Sequence, residues 1–244
     1  MQNKQLKGYV LITGATSGIG YATLKDFHSM GYFVYFTFNR NKDKSIEIER
    51  KFPNSQSFQL DLSSNNNIKL FFKRLSKLDV HLDALVNNAA QTNFIDHTKG
   101  QELDEDEFLK LTQINLVSTY AMIYHSSKIM NINASVVNVS SVAAFNGIGS
   151  NVAYSASKAG IVNLTKSLSR QYKGVIRINA VAPGLLITSL TENFPKEYFE
   201  NYKKSTSMGK LTEPEDVADV IVSLICTMKF VNGQCIIVDG GCVY

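Results

Sequence analysis

The chain has 244 residues, 44% hydrophobic and 19% charged, enough apolar content for the core of one large α/β domain and too much for a disordered segment. Its net charge of +4 comes from scattered lysines rather than a basic patch, which excludes a nucleic-acid footprint, and three cysteines without a CxxC pair exclude a disulfide framework or zinc site. The opening "MQNKQLKGYVLITG" has no secretory pattern, and runs such as "VIVSLIC" (220–226) are too short for a bilayer, so the sequence reads as a soluble cytoplasmic protein without a membrane partner.

In chain order, the strand candidates are "YVLIT" (9–13), "FVYFTF" (33–38), "SFQLDL" (57–62), "ALVNNA" (84–89), "SVVNVS" (135–140), "RINAVA" (177–182) and "QCIIVD" (234–239). Most are apolar on both faces, as strands covered by helices on each side must be. Helical spacing fills the intervals at 19–30, 45–52, 66–78, 105–130 and 153–171. This alternation predicts a single-domain, Rossmann-like, doubly wound parallel sheet of about seven strands, spanning 1–244. Asp104 is expected to cap a helix, with Glu107 closing the capping box, and Thr212 with Glu215 to begin another. The segment 185–212 breaks the alternation and is expected to be a lid or substrate loop.

Glycines 14, 18 and 20 in "TGATSGIG" follow the first strand. They either punctuate a turn or let phosphate oxygens approach N–H groups at a helix N-terminus. The spacing is GxxxGxG rather than the commoner GxGxxG. Tyr154 and Lys158 share a helix face at i, i+4, where an ammonium could lower the phenol from its ordinary pKa of about 10; the same spacing also occurs as surface decoration. Ser141 falls at the carboxyl end of a strand, where open α/β sheets gather ligand sites. Asn115 is a polar residue inside an apolar helical stretch, open to either a structural or a site role. His28, His81, His97 and His125 have no metal-ligand spacing, so no metal is assigned.

Taken in order, the glycine turn, "NNAA" (87–90), Ser141, "YSASK" (154–158), "PG" (183–184) and "VDGG" (238–241) resemble the short-chain dehydrogenase/reductase family over essentially the whole chain. The resemblance implies hydride transfer between a nicotinamide and a carbonyl or alcohol. Catalysis would fall to Ser141 holding the carbonyl oxygen, Tyr154 as proton donor, Lys158 on the nicotinamide ribose and the tyrosine, and Asn115 on a relay water. Ser140 would be structural. The implied cofactor contacts are Gly14, Thr16, Ser17, Gly18, Ile19 and Gly20 in the turn, Asp61 and Leu62 at the adenine, and Asn87 and Ala89 at a ribose. Tyr154 and Lys158 join them, with Pro183, Gly184, Leu186 and Thr188 at the nicotinamide. A homotetramer or homodimer is also implied, with "VDGG" at a subunit interface.

Within the family the closest flavour is the 3-oxoacyl-acyl-carrier-protein reductase type, carried by "YSASKAGIVNLTKSLSRQY" and "NGQCIIVDGG". Three departures stand against it: no arginine in "MNINASVVNVSS", a short "RQYKGVIRIN", and "NNAA" for the more usual "NNAG". The substrate is therefore a ketone or alcohol, free or carrier-bound. Phe94, Phe145, Ile148, Leu185, Phe194, Tyr198, Phe199 and Met208 are its candidate pocket, or lid packing. After the second strand, "FVYFTFNRNK" offers no carboxylate to the ribose hydroxyls before Asp43. Arg40 with Asn39 and Ser17 suits a 2′-phosphate, so NADP(H) is expected over NAD(H), unless Arg40 only begins a surface turn. The alternative to an enzyme is a non-catalytic dinucleotide-binding sensor or scaffold on the same fold.

Overall fold

The computed structural model describes residues 6–95 and 102–242; His97 lies outside them. Seven strands form one sheet: β1 (Tyr9–Ile12), β2 (Phe33–Phe38), β3 (Ser55–Gln59), β4 (Leu82–Asn87), β5 (Met130–Val139), β6 (Ile176–Pro183) and β7 (Cys235–Val238). They run parallel in the order β3-β2-β1-β4-β5-β6-β7. The order reverses between β1 and β4, and a crevice opens there because successive crossovers leave in opposite directions.

The helices are α1 (Gly18–Ser29), α2 (Lys42–Lys51), α3 (Asn65–Leu75), α4 (Glu105–Thr112), α5 (Ser118–Ser126), α6 (Ala143–Asn146), α7 (Val152–Gln171), α8 (Lys196–Ser205) and α9 (Pro214–Cys226). Alternation along the strands divides the apolar side chains between two cores. Val10, Ile12, Val137 and Val139 meet Leu24 and Phe27 of α1 and Val217, Ile221 and Leu224 of α9 on one face. Leu11 and Val136 point the other way, against Ile68 and Phe72 of α3, Met122 and Ile123 of α5, and Leu168 of α7. Each such side chain contributes about 1.5–3 kcal/mol on burial, which fixes strand register and so the heights at which the following loops emerge.

Several boundaries differ from those the sequence suggests. The expected helix 105–130 is interrupted by a π turn at Gln113–Val117 and ends at Ser126. A π turn is confined to a single turn, too local a feature for an apolar repeat read over many turns to reveal. Asp104 does cap α4, accepting the Glu107 N–H at 2.8 Å, but the Glu107 carboxylate bonds Lys110 and Asn93 instead of closing a box. The cap of α9 is one residue later than expected: Glu213 and Asp216 form the box, with Pro214 in the first turn. Thr212 instead donates to the Val238 carbonyl at 3.4 Å. The last turn of α9 carries no basic residue of its own, and Arg177 of β6 reaches across to the Leu224 and Ile225 carbonyls at 2.9 and 3.1 Å. Within 185–212 lies the amphipathic α8, which sequence alternation had not suggested.

Candidate active site

The turns after β1 and β4 are laced together. Thr13 Oγ1 accepts the N–H groups of Asn88 and Ala89, both at 3.0 Å, while Asn88 Nδ2 donates to the carbonyls of Thr13 and Gly14, both at 2.9 Å. Gly14 sits at φ +67°, and a Cβ on Gly20 would lie 2.6 Å from the Gly14 carbonyl oxygen. Side chains at either place would force the turn open. Ser17 occupies the N-cap of α1 without capping it, and the first turn holds no carboxylate. Its hydroxyl instead meets Ser189 Oγ of the 185–195 loop at 2.8 Å. The N–H groups of that helix end are left to a cavity of about 1240 Å³, lined by Gly14, Thr16, Ser17, Gly18 and Ile19.

The same cavity is walled by Asn39, Arg40, Asp61, Leu62 and Ala89, and further along by Pro183, Gly184, Leu186 and Thr188. Arg40 is exposed and makes no ion pair among the described residues. The residues present thus fit a dinucleotide: a glycine cradle that a Cβ would fill, a helix N-terminus with no competing carboxylate, and a cavity continuing past Asn39, Arg40 and Asp61.

Three expected contacts are placed elsewhere. Asn87 lies beneath the cavity wall, 6% exposed, with Nδ2 bonded to Asn138 Oδ1 at 2.9 Å inside the sheet. Gly20 is a packing position under the turn rather than a lining one. Asn115 is 1% exposed in the π turn. Its carboxamide accepts the Gln91 N–H and donates to the Gln91 carbonyl, each at 2.9 Å, with Ser157 Oγ at 3.3 Å, so its side-chain donors and acceptor are already engaged within the protein.

Ser141, Tyr154 and Lys158 do converge on the cavity. Ser141 follows β5, its Oγ accepting the Ala143 N–H at 3.2 Å and hydrogen-bonded to the Tyr154 phenol. Ser140, by contrast, donates to the Lys158 carbonyl at 2.8 Å and is structural. Lys158 is 2% exposed, its Nζ donating to the Val139 carbonyl at 2.7 Å and 5.5 Å from the Tyr154 ring centroid. Burial pushes the Lys158 ammonium down to about 7 and the Tyr154 phenol up to about 12, where the Ser141 bond works against burial and Tyr198 adds to it. The direction is opposite to the lowering expected from the lysine: burial dominates at Tyr154, and the bond from Ser141 is what works against it.

Beyond the trio the cavity is lined by Gln91, Thr92, Ile148, Leu185, Phe194 and Tyr198. Four of the eight expected pocket residues line the wall: Ile148, Leu185, Phe194 and Tyr198. Phe94 packs behind them, its ring 4.9 Å from Phe194 and 5.7 Å from Tyr198. Phe199 is off the wall with its ring 6.3 Å from that of Phe194, and Phe145 and Met208 are also off the wall, 48% and 66% exposed. The "VDGG" turn, with Gly240 and Gly241 at positive φ, anchors the return from α8 through the Ser207 and Met208 N–H groups at 3.2 and 3.0 Å. Sequence reasoning missed Asn88, the second asparagine of "NNAA", and Asn151, the N-cap of α7. Among the described residues no three His, Cys, Asp or Glu side chains gather to hold a metal ion, and no helix is long and apolar enough to cross a membrane.

A doubly wound sheet with an open glycine turn at its switch point and a serine–tyrosine–lysine set beside it defines a nicotinamide-dependent oxidoreductase fold and site. The chain belongs to the short-chain dehydrogenase/reductase family: the family described as Enoyl-(Acyl carrier protein) reductase matches residues 14–243. It is 34% identical to the 3-oxoacyl-acyl-carrier-protein reductase FabG of Aquifex aeolicus over 97% of this chain and 98% of that one. It is 31% identical to the NADPH-dependent aldehyde reductase 1, chloroplastic, of Arabidopsis thaliana over 99% of this chain and 88% of that one. The solved structure of 4-hydroxyisoleucine dehydrogenase complexed with NADH superposes with a TM-score of 0.87 at 27% identity, covering 96% of this chain and 98% of that one.

Proposed function

We propose that the protein is an NADPH-dependent reductase of ketones, with Ser141, Tyr154 and Lys158 as its catalytic residues. The observation that carries this reading is their convergence on one cavity continuous with the glycine turn. A bound dihydronicotinamide supplies the hydride for the carbonyl carbon. Ser141 and Tyr154 hold the carbonyl oxygen between two hydroxyls, and Tyr154 gives its proton as negative charge develops there. Burial raises its pKa, so the phenol carries its proton at neutral pH. Lys158, anchored to Val139, has donors left for ribose hydroxyls, and partners there favour its charged form. Asn115 serves as a positioning residue for the Gln91 segment. Arg40, with Asn39 and Ser17, would hold a 2′-phosphate; relatives bearing NADPH and NADH in their names support the dinucleotide without choosing between them.

We also infer self-association as a homotetramer or homodimer, supported by the apolar groove of Leu116, Val117, Tyr120, Gly160 and Leu164 between α5 and α7. Light scattering at micromolar concentration checks it, a sole monomer being the contrary result. For the reaction, NADPH oxidation with 2,3-butanedione and a panel of larger ketones is the test. Turnover with NADPH preferred is expected, whereas tight NADPH binding without turnover of any ketone would favour the sensor reading.

A further inference from the structure

Two fully buried asparagines lie on either side of the catalytic helix, and each joins the same cavity-lining segment to the backbone of Tyr154. Asn151 is 0% exposed and caps α7, its Oδ1 accepting the Tyr154 N–H at 2.8 Å. Its Nδ2 donates to Thr92 Oγ1 at 3.1 Å and to the Asn93 carbonyl at 2.7 Å. On the other side, Asn115 holds both backbone groups of Gln91 and donates to Ser157 Oγ, which in turn donates to the Tyr154 carbonyl at 2.7 Å. The N–H and C=O of Tyr154 are thus both held, and both routes end on residues 91–93. Gln91 and Thr92 face the cavity, and the Thr92 hydroxyl also bonds Ser150.

A helix N-cap needs only one acceptor, which serine, threonine or aspartate supplies as well as asparagine. Asparagine adds two donors, and here both reach out of α7 to the loop after β4. In a buried site such bonds are strong and directional, and breaking one leaves an unpaired polar group. They hold the segment that a substrate touches and the residue that protonates it in one rigid frame.

We propose that Asn151 is a positioning residue for the reaction, coupling the Thr92 side of the substrate cavity to the backbone of Tyr154, with Asn115 as the second arm of the same brace. The proposal rests on the catalytic reading of Tyr154, but the physical coupling is measurable without turnover.

Asn151→Ser retains a cap acceptor and deletes both bonds to 92–93, while Thr92→Val deletes one bond from the far end without altering α7. Amide hydrogen exchange on the full-length protein is expected to accelerate severalfold at Tyr154 in Thr92→Val and at 91–95 in Asn151→Ser, with the distal turns of α7 unchanged. Wild-type exchange at Tyr154 in Thr92→Val overturns the coupling. With NADPH and 2,3-butanedione, Asn151→Ser should lower kcat roughly ten- to hundredfold at unchanged KM for NADPH, the scale of a small misplacement of a reacting group. Wild-type kcat in Asn151→Ser would reduce Asn151 to a cap and overturn its role in the reaction. Should the wild-type protein reduce no ketone, the function proposed above fails, and the exchange measurement still decides the brace.

Discussion

Between Gly14 and Leu62 the cavity wall is built largely from turns and backbone, whereas between Leu185 and Ser205 it is built from side chains. In the first region, β1, β2 and β3 end on the same edge of the sheet, and the glycines leave their backbone reachable at the N-terminus of α1. In the second, Phe194 and Tyr198 interlock with Phe94, and the loop is tied down by polar contacts such as Ser17 to Ser189 and Ser207 to the Gly241 carbonyl at 2.7 Å. A wall of backbone suits a ligand whose phosphates and riboses never change. Tyr198, on a short helix none of whose residues is buried, and Phe194, just before it and outside both cores, can be altered without disturbing the core. The contrast predicts that variants in the first region act on the adenine and phosphate end of the cofactor, and that variants of Phe194 and Tyr198 in the second act on the ketone.

The sharpest break comes where the two regions meet. Tyr154→Phe should leave the fold and the NADPH dissociation constant unchanged and lower kcat by roughly 10²-fold or more, the reach of a general acid. Near-wild-type reduction of a ketone by that variant would remove the tyrosine from the chemistry.

Within the backbone-built region, Arg40 is the exception, a side chain on which the proposed choice of NADPH turns. Arg40→Ala should weaken NADPH by about 1.5–3 kcal/mol, the scale of a charge-assisted hydrogen bond, and leave NADH nearly untouched. Equal losses for both cofactors, measured by fluorescence titration, would show that Arg40 is only the start of a surface turn.

A smaller effect tests the electrostatics of the seam. Lys158 is held down to about 7 in the folded chain, while an unfolded lysine has a pKa of about 10.4. Between those values the unfolded chain binds a proton that the folded chain lacks, so this site's contribution to stability rises with pH from about 7 to about 10.4. The rise reverses for Tyr154 only above about 10, where the unfolded phenol ionises and the folded one, at about 12, does not. Unfolding free energies from urea titrations at pH 7 and 9, without cofactor, should therefore show a rise in the wild type that exceeds that of Lys158→Met by about 2 kcal/mol. Parallel changes in the two proteins would mean that the buried lysine titrates normally.

The same contrast explains what the sequence reveals. Glycines 14 and 18 answer a backbone demand that no other residue meets cheaply, at φ +67° and +53°, so their spacing is readable without knowing any partner. The alternating apolar strands are readable for the same reason, since two covered faces need two apolar sides. Asn88 and Asn151 are not readable in this way. Their partners lie 75 residues away at Thr13 and 58 residues away at Asn93, and an asparagine before a helix carries the same local signal whether it caps or bridges. Asn87 illustrates the converse: it sits in the motif, yet strand alternation turns it into the sheet, toward Asn138, and turns its neighbour outward. The π turn at Gln113–Val117 escapes notice because it is confined to a single turn, too local for an apolar repeat to reveal.

Phe194 supplies the smallest effect and the cleanest separation of the two regions. Phe194 lines the cavity and contacts Phe94 at 4.9 Å, Tyr198 at 6.0 Å and Phe199 at 6.3 Å between ring centroids. Aromatic pairs of this kind contribute about 0.5–1.5 kcal/mol beyond their buried area, and leucine keeps much of the volume while losing the ring geometry. Because Phe194 lies outside both sheet-packing cores, that loss should be felt in the shape of the pocket rather than in global stability. Phe194→Leu is therefore expected to raise KM for a bulky ketone by about two- to tenfold, with the NADPH dissociation constant and the melting temperature within error of wild type. A matching loss of NADPH affinity would show that the loop carrying Phe194 clamps the dinucleotide as well, through Ser189 and the glycine turn, and that the two regions act as one. An unchanged KM for every ketone tested would place Phe194 in aromatic packing alone, leaving Leu185 and Ile148 as the apolar contacts that discriminate among substrates.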